Sequence, residues 1–303
     1  MRQPGDTIAL ESGDTLLEVS PVTGGSITRY ATAREDRVFE WMRPATEAAI
    51  LERSAGQTAS FPMVPFSNRI RNGRFSFDGR DVQLTELFGR APHAIHGHGW
   101  LEPWNIVEQA DDTLTLEYRH PADSWPWAYR AEQTFELRDA VLTIRFAVTN
   151  EATTRMPLGF GLHPYFVRTP GVRLHAGVGE MWRADDDAMP AELVPPPPQL
   201  AFGASGLSPD LAILDNNFLS FGGEYRIEWP EWRAGLRVEA DPVYSCLVVY
   251  TPEGRDFFCA EPATNCIDAV NLAASGREDT GLIGLAADDT AAGEVVFTPA
   301  IRA

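Results

Sequence analysis

Apolar and polar residues alternate along most of this chain, and that period of two constrains the fold more than any other feature. In Val141-Leu142-Thr143-Ile144-Arg145-Phe146-Ala147-Val148-Thr149, the residues Leu142, Ile144, Phe146 and Val148 share one face, while Thr143, Arg145 and Thr149 share the other. Side chains of an extended strand project to alternate sides, so such a run buries one face and wets the other. The segments from Thr113 to Tyr118, Tyr225 to Trp229 and Leu236 to Glu239 repeat the pattern. Cys246-Leu247-Val248-Val249-Tyr250 is apolar throughout and predicts a strand covered on both faces. Turn-forming pairs separate these runs: Asn72-Gly73, Asp78-Gly79, Gly222-Gly223 and Glu253-Gly254. The stretch from Arg69 to Gly79 reads as a hairpin turning, or bulging, at Asn72-Gly73. Long amphipathic helices are missing, and the helical candidates are short, such as Ala45 to Arg53. Pro195 to Pro198 predicts an extended, exposed polyproline loop. The expected fold class is therefore all-β, a large antiparallel sandwich. No linker, composition shift or short-period repeat divides the chain, so residues 1–303 are expected to form a single domain.

Composition narrows the function classes. Hydrophobic residues make up 44% and charged residues 22%, a balance that supports a sizeable core in a soluble globular protein. The net charge of -18, from 25 basic and 43 acidic residues, argues against nucleic acid, whose phosphates demand clustered Lys and Arg. It also disfavours an anionic membrane surface. Met1-Arg2-Gln3-Pro4-Gly5-Asp6 lacks the apolar stretch of a signal peptide, and no stretch approaches the length of a membrane span. Cys246, Cys259 and Cys266 form no CxxC pair and read as reduced residues in or near a core, which predicts a cytoplasmic location.

A few polar groups stand where strands should be buried. Glu261 ends Phe257-Phe258-Cys259-Ala260-Glu261-Pro262. An ionised carboxylate there costs several kcal/mol unless it is paired or its pKa rises, and a carboxylate with a raised pKa serves as a general base near neutral pH. A strand-end Glu turned to solvent is the bland reading. His163, in Leu158-Gly159-Phe160-Gly161-Leu162-His163-Pro164-Tyr165-Phe166, reads either as a satisfied core histidine or as a proton donor. His93, His96 and His98 crowd into Pro92-His93-Ala94-Ile95-His96-Gly97-His98-Gly99-Trp100. On an extended segment His96 and His98 point the same way, and with Glu102 they form an HxHxxxE string of the kind seen in cupin metal sites. The commoner reading is one functional histidine beside a structural one. Asp215 before Asn216-Asn217-Phe218, after the apolar Leu211 to Leu214 stretch, is a turn signal, and Arg69 alone is a surface ion-pair candidate. Trp100, Trp104, Trp125 and Trp127 suit either a carbohydrate-facing surface or core packing.

Five segments together resemble the aldose 1-epimerases (galactose mutarotases). They are Asn68-Arg69-Ile70 with Gly73-Arg74-Phe75; His96-Gly97; His163-Pro164-Tyr165-Phe166; Asp215 with Phe218; and Glu261-Pro262-Ala263-Thr264 with Asp268, Ala269 and Asn271, in the family's order. The resemblance runs from about Thr15 to the C-terminal strands and is similar to a less characterised bacterial branch. It implies a galactose mutarotase-like supersandwich with a sugar cleft across one sheet. It also implies roles: Glu261 as general base, His163 as general acid and His96 as a second catalytic histidine near the ring oxygen. Arg69 and Asp215 would bind sugar hydroxyls, with Asn68, His98 and Trp100 beside the substrate, and neither metal nor organic cofactor is required. Where many members carry HGG this chain has His96-Gly97-His98, and three roles stay open for His98: narrowing the cleft, contacting substrate, or replacing another histidine.

Mutarotation needs one proton removed from the C1 hydroxyl and one delivered to the ring oxygen, so a carboxylate and an imidazole on opposite flanks of the C1–O5 unit suffice. The expected partner is a sugar, with no nucleic acid and no membrane, and the chain is expected to be a monomer or homodimer. A hexose-6-phosphate 1-epimerase, with Arg69, Arg71 and Arg74 as a phosphate fork, a non-catalytic sugar-binding or regulatory protein, and a cupin-like metalloenzyme are the alternatives.

Overall fold

The computed structural model describes residues 7–85, 92–200, 202–210 and 213–302. The reading at 1–6, and two residues of the 211–214 apolar stretch, lie outside the described residues. Two antiparallel sheets, of eleven and eight strands among the described residues, build a β-sandwich. The alternating run found in the sequence is the Val141–Asn150 strand, and its Leu142, Ile144, Phe146 and Val148 are buried as the period of two demands. It pairs with Tyr129–Arg138 on one side and Thr290–Ile301 on the other, at the centre of the smaller sheet.

Five neighbouring strands of the larger sheet matter for the site: Ser60–Met63, Gly161–Val167, Phe257–Ala263, Cys246–Tyr250 and Asp215–Phe218. Both faces of this sheet are covered, which is why Cys246–Tyr250 and Phe257–Ala263 lack an apolar–polar alternation. One face meets the smaller sheet. There Phe166 packs on Phe258 and Tyr225, Phe160 stacks on Phe146 at 5.4 Å, and the Tyr225 hydroxyl donates to the Ala260 carbonyl. The opposite face carries a second apolar cluster that includes Phe61, Tyr165, Cys259 and Ala263. Strand alternation sends Phe258 and Ala260 to the first face and Phe257, Cys259 and Glu261 to the second. The three cysteines are buried free thiols.

Two local expectations change. Asn72 and Gly73 do adopt positive φ (54° and 60°), but the strands flanking them do not pair with each other. Arg69–Ile70 pairs with Ala94–Ile95, and the hairpin is the next one, Arg74–Phe77 with Arg80–Gln83, turning at Asp78-Gly79. The reason is competition: both dipeptides carry the turn signal, and the long-range partner at Ala94–Ile95 claims the first arm. The polyproline segment ends in a short 3-10 turn at Pro198–Leu200 with Pro195 and Pro198 exposed. The helical candidate is a five-residue helix, Glu47–Leu51, whose Thr46 hydroxyl caps the Ala49 N–H. Among the described residues no helix is long and apolar enough to cross a membrane.

Candidate active site

Strand register assembles the site. Gly161 pairs with Ala263 and Tyr165 with Cys259, which sets His163 beside Glu261. Val248 stands opposite Glu261 on the next strand, and Phe61 opposite His163 on the other side. These four side chains form one row on the face turned away from the smaller sheet. His163 Nε2 lies 3.2 Å from Glu261 Oε1. Glu261 is only 2% exposed, and its Oε2 has no hydrogen-bond partner among the described residues. Burial pushes the Glu261 pKa well above the usual carboxylate range; the negative charge of Asp215 pushes it further, and the positive charge of Arg69 opposes. The His163 ring is held in plane between Phe61 (centroids 4.4 Å apart) and Tyr165 (4.7 Å), and the Arg43 guanidinium covers the Tyr165 ring at 4.1 Å.

A second piece comes from two loops that lock each other. Asn68 (φ 57°) and His96 (φ 59°) both sit in the left-handed region, uncommon for residues other than glycine. The His96 N–H donates to the Asn68 carbonyl at 3.0 Å, and the Asn68 N–H donates back to His96 Nδ1 at 3.1 Å. That second bond makes Nδ1 an acceptor, so a neutral His96 carries its proton on Nε2. The Asn68 side-chain oxygen takes the Arg69 N–H at 2.9 Å, and Arg69 Nη2 meets Asp215 Oδ2 at 3.1 Å across the cleft mouth. Asn68, Arg69, His96, His163, Asp215 and Glu261 all line one small cleft, with Tyr165, Val248 and Tyr250. A roomier cavity beside Arg71, Arg74 and Asp268 contains no histidine, so chemistry rather than size selects the site.

Gly97 is needed for the lock. It has φ 69°, and a Cβ on it would fall 2.3 Å from the Val64 carbonyl oxygen. Gly97→Ala is expected to cost more than about 1 kcal/mol of stability, because strain and overlap both oppose it. Urea unfolding checks this, and an unchanged midpoint at unchanged slope would contradict the packing described.

The aldose 1-epimerase family profile matches residues 6–297. The chain belongs to the aldose 1-epimerase family. It is 32% identical to the uncharacterized protein YphB of Escherichia coli K12 over 235 residues, covering 75% of this chain and 79% of that protein. Among solved structures, a candidate aldose 1-epimerase from Escherichia coli K12 superposes with a TM-score of 0.87 at 29% identity, covering 98% of this chain and 99% of that one. A galactose mutarotase-like protein from Clostridium acetobutylicum shares the fold, with a TM-score of 0.86 at 16% identity over 98% and 95% of the two chains.

Within this aldose 1-epimerase fold, the candidate residues separate into two groups. Glu261, His163, His96, Asn68, Arg69 and Asp215 come together. The carboxylate and imidazole do not flank the cleft from opposite sides, as expected, but stand side by side on adjacent strands. Side by side, the two groups can reach two oxygens that are bonded to one carbon. His98 is placed elsewhere, which corrects its reading as a substrate contact. His96 and Gly97 both have positive φ, so the segment is not extended and His98 turns away, to stack on His120 at 3.9 Å. Burial, and then the neighbouring His120, push the His98 pKa down to about 3. The HxHxxxE string is not assembled for the same reason, and Glu102 is exposed. Trp100 is not among the cleft-lining residues; it stacks on Phe61 at 5.1 Å and meets His96 edge-on, supporting the wall from behind. Trp104, Trp125 and Trp127 are core residues. The phosphate fork does not form either. Arg69 engages Asp215, Arg71 engages Asp185 at 3.1 Å, and Arg74 lines the other cavity. Sequence reasoning missed Phe61, Val248 and Tyr250, whose only signal was membership of apolar strands.

Proposed function

We propose that this chain is an aldose 1-epimerase that interconverts the α and β anomers of a free aldose. The observation that carries the reading is the buried Glu261–His163 pair at 3.2 Å on the floor of a polar cleft. Sugar displaces the direct contact between them. Ionised Glu261 removes the proton from the C1 hydroxyl, and His163 gives a proton to the ring oxygen. The C1–O5 bond breaks with its electron pair going to O5, and C1 becomes a carbonyl. Rotation about C1–C2 presents the other carbonyl face. O5 then attacks C1 and returns its proton to His163, while Glu261 returns one to O1. His96 offers its Nε2–H to the same oxygens, and the Arg69–Asp215 pair at the mouth holds sugar hydroxyls.

Anomer exchange followed by NMR or polarimetry tests the proposal. Free aldoses are expected to turn over with higher kcat/KM than their 6-phosphates, because Arg69 and Arg71 are already engaged by carboxylates. Faster exchange of the phosphates would reverse the substrate assignment. Sugar binding without any rate enhancement would make the chain a binding protein.

A further inference from the structure

We propose that His98, His120 and Asp123 bind one divalent cation of the zinc class, at a site separate from the sugar cleft. Each residue brings one ligand atom, and the three atoms lie within 4.8 Å of one another. His120 Nε2 and Asp123 Oδ1 are 3.2 Å apart. Zinc bonds of roughly 2.0–2.2 Å at a tetrahedral angle place neighbouring ligands about 3.3 Å apart. This pair therefore already spans one edge of a coordination tetrahedron. The His98 ring stacks on His120 with centroids 3.9 Å apart and planes inclined by 25°. Both rings must splay, by on the order of 1 Å at the coordinating nitrogens, to point at a common ion.

The surroundings suit that task. The Tyr129 hydroxyl lies 3.3 Å from His98 Nδ1, and the Tyr118 hydroxyl 3.2 Å from His120 Nδ1. A tyrosine hydroxyl can accept as well as donate, so each can accept a hydrogen bond from the Nδ1–H of an imidazole bound to metal through its other nitrogen. Partners of this kind fix the tautomer and direction of metal-binding histidines. Both histidines are buried, whereas the Asp123 side chain is 48% exposed, which gives an ion a way in and leaves room for water as a fourth ligand. Two imidazole nitrogens with one carboxylate favour zinc and its neighbours over magnesium or calcium, which prefer all-oxygen shells. The ion would tie the segment that carries His96 to the Thr113–His120 strand of the smaller sheet and to the turn after it. Binding is therefore expected to raise thermal stability, since the unfolded chain lacks the site.

The catalytic pair forms a second such set with Cys259, so the test must separate the two. Chelator-stripped protein is dialysed against Zn²⁺, bound metal is counted by mass spectrometry, and melting is followed in parallel. One equivalent and a raised melting temperature are expected. Asp123→Asn retains the side-chain oxygen that accepts the Trp125 N–H at 2.7 Å, so the turn keeps its cap. Changing a residue that merely orients a ligand costs roughly 10–100-fold in metal affinity, and altering the carboxylate itself is expected to cost at least that much. Cys259→Ser is expected to keep the equivalent. The proposal is overturned if no zinc binds above the protein-free control, or if Asp123→Asn binds it as the wild type does. Neither result bears on anomer exchange.

Discussion

Glu261→Gln is expected to slow anomer exchange by roughly 10²–10⁴-fold, the range that one positioned acid or base contributes, while sugar affinity stays close to that of the wild type. Gln keeps the volume and the hydrogen-bonding capacity toward His163 but cannot take the C1 hydroxyl proton. The same substitution is expected to stabilise the fold at neutral pH by about 0.5–2 kcal/mol, the size common to single stabilising substitutions. Burial raises the folded carboxyl's pKa above its unfolded value. Between those two values the folded state holds more protons, so stability falls as pH rises through that window. Gln carries no charge and escapes the loss, so the gain should be present near pH 8 and fade below about pH 4, where the unfolded chain's carboxyl is also protonated. Polarimetry gives the rate and thermal unfolding at the two pH values gives the stability. Wild-type turnover in the variant would remove Glu261 as the base. A variant less stable than the wild type at pH 8 would mean that ionised Glu261 is well compensated where it lies.

Much of this architecture is legible in the residue pattern because strand alternation is a local property. Val141–Asn150, Thr113–His120 and Glu224–Trp229 bury the side chains their periodicity indicates. The site is legible in a different way. Glu261 and His163 are conspicuous as polar groups inside apolar runs, yet nothing near either residue shows that they touch. Their contact follows from the register of two strands far apart in the chain, which long-range packing decides. Backbone exceptions are hidden as well. Strict alternation would put His96 and His98 on one face, but His96 itself takes a positive φ, stabilised by its exchange of hydrogen bonds with Asn68. That bond joins residues on separate loops and has no local signature. Phe61 is the converse case: a residue without chemistry of its own that orients His163 through its ring face.

The Arg69–Asp215 pair offers the sharper test of electrostatic control, because its two members act on Glu261 with opposite sign. Activity requires ionised Glu261, so the acid limb of the pH–rate profile follows the ionisation of this raised carboxyl. Asp215 raises the Glu261 pKa and Arg69 lowers it. Asp215→Asn should therefore move the acid limb to lower pH, and Arg69→Gln should move it to higher pH. On that limb each pH unit of displacement is a tenfold change in rate at fixed pH, since one pKa unit corresponds to about 1.4 kcal/mol. Both variants also loosen the grip on sugar hydroxyls and raise KM, so loss of binding alone predicts weaker saturation in each with unmoved limbs in kcat. Salt bridging alone predicts that breaking the pair from either side has the same consequence. Only charge acting through the cleft onto a buried base separates the two profiles in opposite directions. Limbs that shift the same way, or not at all, would show that the carboxylate limiting the rate at low pH is not the one 3.2 Å from His163.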